Sequence, residues 1–387
     1  MRVLGVLLGL LLSATAAFGL LRVAASRRAP DPGPRSAGPS RDEIDAGIAR
    51  GVAYLVGSQN PSGSWGSPAS NLWDIYAPVP GAYYAFETGV TGLSVSALLA
   101  AGGDDPAAAA AARKGTDFLL AKHTRAKRVS EDVLYNVWGH AYALEAFCDV
   151  LDRERDAARR AALEKGCAEC VDLLRRYEFV DGGWGYYNFN LVVQHPEHGA
   201  TSFTTASVLV ALKKAADHGI AVPKALVRRA LDLVLVTRKP DGAFAYSWEH
   251  RQFPQGRINK VEGSLARVPA CLLALHAWGE PVPTSRFVQA LARLDEFGKF
   301  LQIARKYPIP HEAWYQNSGY FCFYGYYYAT GLLALVPPSV RAAHRAKIAR
   351  VLLPLQEEDG SWWDYQLYSY HKAYGTSYVL LALARCR

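Results

Sequence analysis

Apolar positions along the chain fall into two kinds of helical run that alternate. In one kind, exemplified by Val340 to Gln356, the residues Val340, Ile348, Val351, Leu352 and Leu355 share one face, while Arg341, Arg345, Lys347 and Arg350 lie elsewhere. That one-sided period predicts a helix with one wet face. The other kind is small and apolar almost all round, as in Thr88 to Ala101, Thr201 to Ala216, Gly263 to Trp278 and Ala373 to Ala384. Such a helix belongs in an interior.

Where an outer run gives way to an inner one, a short phrase returns: Gly63-Ser-Trp65, Asp181-Gly-Gly-Trp-Gly-Tyr186, Asp241-Gly-Ala-Phe-Ala-Tyr246 and Asp359-Gly-Ser-Trp-Trp-Asp-Tyr365. Asp or Ser accepts a backbone bond, Gly supplies positive φ, and the aromatic packs as a wedge under the turn. The hairpins expected are Arg41 to Ser58 with the inner run from Thr88, their loop carrying Trp65 and Trp73; Ala107 to Lys122 with Val137 to Leu151; and Asp156 to Tyr177 with Thr201 to His218. Pro223 to Thr237 with Gly263 to Trp278, Ser285 to Ala304 with Tyr324 to Leu335, and Val340 to Gln356 with Ala373 to Ala384 follow. No run alternates as a strand would, so the expected class is all-α. Six hairpins that cannot bury their faces alone close into an α/α toroid (α6/α6 barrel) over residues 42 to 387.

The first 41 residues are different. Val3 to Leu12 is an apolar core after Arg2, and Ala14-Thr-Ala16 is a small-x-small cleavage pattern, so residues 1 to 21 are expected to be a signal peptide. Extended to Leu21, the same stretch is long enough for a membrane anchor whose flanking arginines would hold the body on the cytoplasmic side. Residues 22 to 41 form a basic Pro/Gly/Ser-rich tether with five Arg against one Asp. Of the formal net charge of +8, that tether carries +4 and Arg2 another +1, which leaves +3 on the body. A nearly neutral body argues against a nucleic-acid partner, while the tether suits association with anionic lipid. The expected location is exported, periplasmic or extracellular, or membrane-tethered.

Half of the residues are hydrophobic, with 22 Tyr and 9 Trp. The six cysteines, Cys148, Cys167, Cys170, Cys271, Cys322 and Cys386, are too scattered for a disulfide scaffold. Cys167 and Cys170 lack a second pair at metal-ligand spacing, so buried thiols or a disulfide with Cys148 are expected rather than a metal site.

The repeated Asp/Gly-Gly/Ser-Trp turns and the closing run Tyr374-Gly-Thr-Ser-Tyr-Val-Leu-Leu-Ala-Leu383 resemble the squalene cyclase and protein prenyltransferase β-subunit superfamily. The resemblance covers about residues 42 to 387. It implies six helical hairpins around a central, aromatic-lined, apolar cavity.

The chemistry of those relatives is only partly present. Class II terpene cyclases protonate an isoprenoid with an Asp-x-Asp-Asp motif, and this chain has none; Asp104-Asp105 sits at a helix start. Carried over from the prenyltransferases, the zinc Asp becomes Glu262, the zinc Cys becomes Ser264 and the zinc His becomes Gly375, with His371 one turn earlier, so no metal and no cofactor is expected. Their diphosphate cradle resembles His198, Arg257 and Lys260, although its Tyr is Leu265 here. Three donors at neighbouring loop ends suit an anion, and Glu262 beside them is the catalytic candidate.

Aromatic residues supply a second candidate site. Tyr320, Tyr324, Trp362, Trp363, Tyr365 and Tyr370 lie where loops enter the last two inner helices, and there they stabilise a carbocation, stack on a sugar or plug the barrel. Glu87, Glu145, Glu262 and Asp364 lie near the wall, as a glycosidase would need. No thioester run, phosphate loop, nucleophile elbow or His-Glu-x-x-His occurs. The leading expectation is a toroid that holds an apolar, isoprenoid-like small molecule or lipid, with catalysis open. Its alternatives are a carbohydrate-active or carbohydrate-binding toroid and a scaffold with a filled barrel.

Overall fold

The computed structural model describes residues 38–69, 82–128, 130, 132–188 and 195–387. The expected signal peptide or anchor, most of the tether and Trp73 lie outside them. Among the described residues there is no β-strand, and the helices pair as hairpins. The outer members are α1 (Arg41–Gly57), α3 (Pro106–Lys122), α5 (Ala157–Arg176), α7 (Lys224–Thr237), α9 (Thr284–Phe297) with its short continuation α10 (Lys299–Ala304), and α12 (Pro338–Leu352). The inner members are α2 (Tyr83–Ala101), α4 (Asn136–Leu151), α6 (Ser202–Asp217), α8 (Arg267–Ala277), α11 (Phe321–Leu332) and α13 (His371–Ala384). Each inner helix packs on the next and α13 returns to α2, so the ring closes. The fold is an α/α toroid.

Helix ends follow local chemistry. Ser40 and Glu43 make a reciprocal capping box at the start of α1. Asp105 caps α3 ahead of Pro106, and Asp156 caps α5. Pro354 lacks the N–H that would continue α12, which tightens into a 3₁₀ turn over Leu353–Leu355. Residues 263–266, expected as the first turn of α8, remain a loop.

The repeated phrase is the joint of four of the six hairpins, and in the first, third and sixth its aromatic is a tryptophan. Trp65, Trp184 and Trp362 are fully buried. Their indole N–H groups donate to the carbonyls of Leu55, Leu174 and Leu352, each ten residues earlier at the end of an outer helix, at 2.7, 2.8 and 2.8 Å. Their backbone N–H groups donate to the hydroxyls of Thr91, Thr205 and Thr376 on the inner helices, at 3.4, 2.9 and 2.9 Å. One side chain thus ties outer helix, turn and inner helix together.

The same turn also grips the next hairpin. Gly63, Gly182 and Gly360 have φ of 98°, 84° and 84°. A Cβ there would fall 2.5, 2.8 and 2.6 Å from the carbonyl oxygens of Lys114, Arg229 and Arg50, all on the following outer helix. Only glycine allows both the left-handed backbone and that approach. Gln59 Nε2 donates to Gly63 O and Ala111 O, both at 2.9 Å, and Gln356 Nε2 donates to Gly360 O at 2.9 Å and Gly47 O at 3.0 Å. The last turn grips the first outer helix, which fastens the ring.

Replacing Trp362 with alanine should therefore cost about 3–5 kcal/mol. Trp362→Phe, which keeps most of the ring but strands the Leu352 carbonyl, should cost about 1–3 kcal/mol. Denaturant unfolding followed by far-UV circular dichroism measures both. Midpoints equal to wild type would mean that the wedge does not hold the ring.

Candidate functional site

At the end of the toroid where the inner helices begin, the loops and first turns enclose a cavity of about 420 Å³. Its wall is largely aromatic: Phe86, Tyr135 and Trp138 on one side, Phe203 and Tyr246 on another, and Tyr320, Phe321, Tyr324, Tyr365, Tyr374 and Tyr378 closing the ring. Rings meet edge to face, as Phe203 does with Phe321 at 5.2 Å and Tyr324 at 6.0 Å.

The phenols are largely turned on one another. Tyr142 pairs with Tyr378, Tyr135 with Tyr187 and Tyr186 with Tyr246, hydroxyl to hydroxyl. Tyr324 donates to Phe203 O at 3.1 Å, and Tyr374 donates to the Asp364 carboxylate. Burial raises Tyr142, Tyr186, Tyr246 and Tyr378 well above the ordinary phenol pKa. These phenols are neutral, and their oxygens are occupied.

One imidazole stands at the mouth with a defined tautomer. His311 Nδ1 lies 2.8 Å from Gln316 O, a pure acceptor, so Nδ1 carries the proton. Nε2 then accepts from the Tyr320 hydroxyl at 3.0 Å, and Tyr320 in turn lies 3.5 Å from the Tyr186 hydroxyl. The chain Tyr246, Tyr186, Tyr320, His311 runs from the wall to the mouth. His311 has φ of 63°, as has Lys306, and Tyr315 and Gln316 have φ of 56°. Four non-glycine residues in the left-handed region of one loop are held there by the packing around them.

Of the aromatic residues expected from sequence, Tyr320, Tyr324 and Tyr365 line this cavity. Trp362 is a buried wedge, Trp363 packs against His371 with Lys306 over its ring at 4.1 Å, and Tyr370 is buried beside Phe86. None of these three lines it. The cationic candidates are also elsewhere: Arg257 and Lys260 are exposed, and His198 has 59% of its side chain exposed beside Asp181. Glu262 meets Tyr315 and lines no part of the cavity. Arg267 accounts for that displacement. Its buried guanidinium takes the carbonyls of Gly263, Ile258 and Phe244 at 2.8, 2.6 and 3.1 Å, folding residues 258–263 back on themselves. Burial alone pulls its pKa down to about 10.

The other wall carboxylates have separate duties. Glu87 accepts from Ser64 at 2.9 Å. Asp364 accepts from Phe323 N at 2.8 Å and so caps α11. Glu145 faces a different cavity. A side chain at position 375 would start 2.5 Å from the Trp362 carbonyl, so no imidazole fits where the zinc ligand would be. Among the described residues no cluster of three potential metal ligands occurs. Sequence reasoning missed His311, Tyr186 and Tyr246, yet a signal was present: the tyrosine that ends each long phrase, Tyr186, Tyr246 or Tyr365, lines the cavity.

Comparison with known proteins bears on the fold alone. No family model and no curated protein matches the chain. Among solved structures, it is similar to the apo type II terpene cyclase MstE from Scytonema, at 16% identity and a TM-score of 0.50, over 89% of this chain and 98% of that one. A Salmonella alpha-2-macroglobulin variant aligns at 14% identity and a TM-score of 0.35, over 70% of this chain and 17% of its own.

Burial holds His311 and His250 below the ordinary imidazole pKa of 6.5. At these two sites the unfolded chain therefore binds protons first as pH falls, so their contribution to stability is full above about pH 6.5 and is lost below it. Carboxyls raised by burial, Glu145, Asp181 and Asp364, act in the opposite sense, so the test is the difference: between pH 7.5 and 5.5 the denaturation midpoint of His311→Gln should fall less, or rise more, than that of the wild type. A variant with the wild-type slope would show that His311 does not titrate as its burial requires.

Proposed function

We propose that the toroid holds an apolar, isoprenoid-like molecule in the aromatic cavity. The observation that carries this reading is a wall of rings whose phenols bond mostly to other protein groups. A sugar entering would lose hydrogen bonds to water and find few in return, a penalty of about 1–3 kcal/mol per unmatched group. An alkyl or polyene chain loses none. The volume of about 420 Å³ is in the range of small-molecule sites and argues against a barrel filled solid. Likeness in fold to a type II terpene cyclase supports the same class of ligand.

Whether chemistry follows binding rests on few groups. Glu249, at the mouth, is the one carboxylate among the described lining residues. Ring faces favour positive charge on a bound molecule, and the Tyr186, Tyr320, His311 chain offers a route by which a proton leaves. The apolar run at residues 3–12 and the basic tether support export or attachment to a membrane. No helix among the described residues is long and apolar enough to cross one.

Two measurements decide the reading. Solvent extraction of purified protein with mass spectrometry should release a lipid, and geranylgeraniol should displace the neutral fluorophore N-phenyl-1-naphthylamine where maltohexaose does not. Val90→Trp, which places an indole in the cavity, should weaken geranylgeraniol at least about tenfold with helicity unchanged. Displacement by the oligosaccharide alone would favour the carbohydrate alternative.

A further inference from the structure

The far end of the toroid holds a second cavity, of about 620 Å³, where α2, α4, α6, α8 and α13 end. It shares Leu93 and Tyr142 with the aromatic cavity as a common wall. Its chemistry is opposite: carboxylates, lysines and arginines replace the rings.

Most of those charges are already matched. Lys214 pairs with Asp149, which also accepts from Ser96 at 2.6 Å, and Lys213 pairs with Asp217. Asp152 lies 3.4 Å from His218, and Arg385 donates to Tyr327 O at 3.1 Å. Arg153, also at the wall, is exposed, and Glu145 is the buried exception. It is 7% exposed, its Oε2 accepts from the Tyr327 hydroxyl at 3.3 Å, and its Oε1 has no partner. A buried acceptor left empty at a cavity wall costs about 1–3 kcal/mol unless a donor fills it.

We propose that this cavity is a binding site for a small organic ammonium ion, with Glu145 as its counter-ion. Three features select a cation over a neutral donor. The carboxyl accepts and, once ionised, cannot donate. The carbonyl ends of five inner helices converge there, adding negative potential. The ring of Tyr327 stands beside the acid and already carries the Arg385 guanidinium at 4.9 Å, a face on which cations rest. The lysines do not take the place of the ligand, because Lys214 is committed to Asp149 and Lys213 to Asp217.

Burial lifts Glu145 to about 7, opposed by Lys214 and Arg385 and reinforced by Asp149. Tyr327, Tyr328 and Tyr378 also face it and stay neutral, and α2 presents no titratable group to this cavity. Below pH 7 the empty site is mostly protonated, so an ammonium ion must displace that proton. Affinity should rise as pH rises, about tenfold between pH 6 and pH 8, with close to one proton released per cation bound at pH 6 and about a tenth of one at pH 8.

Calorimetric titration of the full chain with putrescine and butylammonium at fixed ionic strength tests this. Expected are saturable binding, the stated pH dependence, and, at pH 6, a heat that varies with buffer ionisation enthalpy as nearly one proton is released. Glu145→Gln should lower affinity at pH 8 at least about tenfold and remove both the pH dependence and the proton release. If that variant does not fold, the pH series and proton count on the wild-type chain decide alone. Absence of saturable binding, binding that ignores pH, or unchanged binding by a folded Glu145→Gln protein would overturn the proposal. So would preferential binding of phosphate. None of these readouts depends on what the aromatic cavity holds.

Discussion

The structure depends on one joint made repeatedly: a buried indole whose N–H reaches the end of its own outer helix and whose turn leans on the next. A helical hairpin leaves apolar surface on both flanks, and packing alone does not fix the angle between neighbours. The Trp wedge fixes the hairpin, and the glycine turn, seated against a carbonyl of the following outer helix, fixes the step. Because the Gln356 and Gly360 joint lands on α1, those steps close a ring.

Closing a ring from parallel inner helices makes a bore with two unlike ends. Loops enter where the helices begin, and the phrase that makes the joint also brings a tyrosine to that rim. Carbonyls accumulate at the other end, with the charged last turns of α4 and α6. The aromatic cavity and the polar one are thus both consequences of helix direction. Tyr142, common to both, is where one environment gives way to the other.

Much of the fold was legible because it is written in periodic, local terms. One-sided and all-round apolar runs distinguish outer from inner helices, and a phrase with Gly before an aromatic marks four of the six reversals. The site was less legible because side-chain direction is a tertiary matter. Arg257, Lys260 and Glu262 stand just before an inner helix in sequence, but the buried Arg267 gathers the carbonyls of that segment and turns their side chains away from the cavity. Nothing in the periodicity tells a buried arginine from a solvated one. Trp362 and Tyr365 belong to one phrase, yet one is a wedge and the other lines the cavity.

Arg267 also shows how a repeat tolerates divergence. In the first, third and sixth hairpins a threonine hydroxyl on the inner helix meets the backbone of the wedge; in the fourth, Phe244 replaces the tryptophan and Arg267 bonds to its carbonyl instead. A phenylalanine wedge has no N–H to hold the outer helix, and the guanidinium compensates by binding three carbonyls around the same turn. A buried cation without a carboxylate survives only if most of its donors are used; Nη1 and Nη2 of Arg267 bind those carbonyls, and Nε is left without a partner. The guanidinium also lies 5.4 Å from the ring of Tyr246, at the head of the phenol chain leading to His311. Where the wedge has lost its tryptophan, the group that replaces it touches the polar path from Tyr246 to His311.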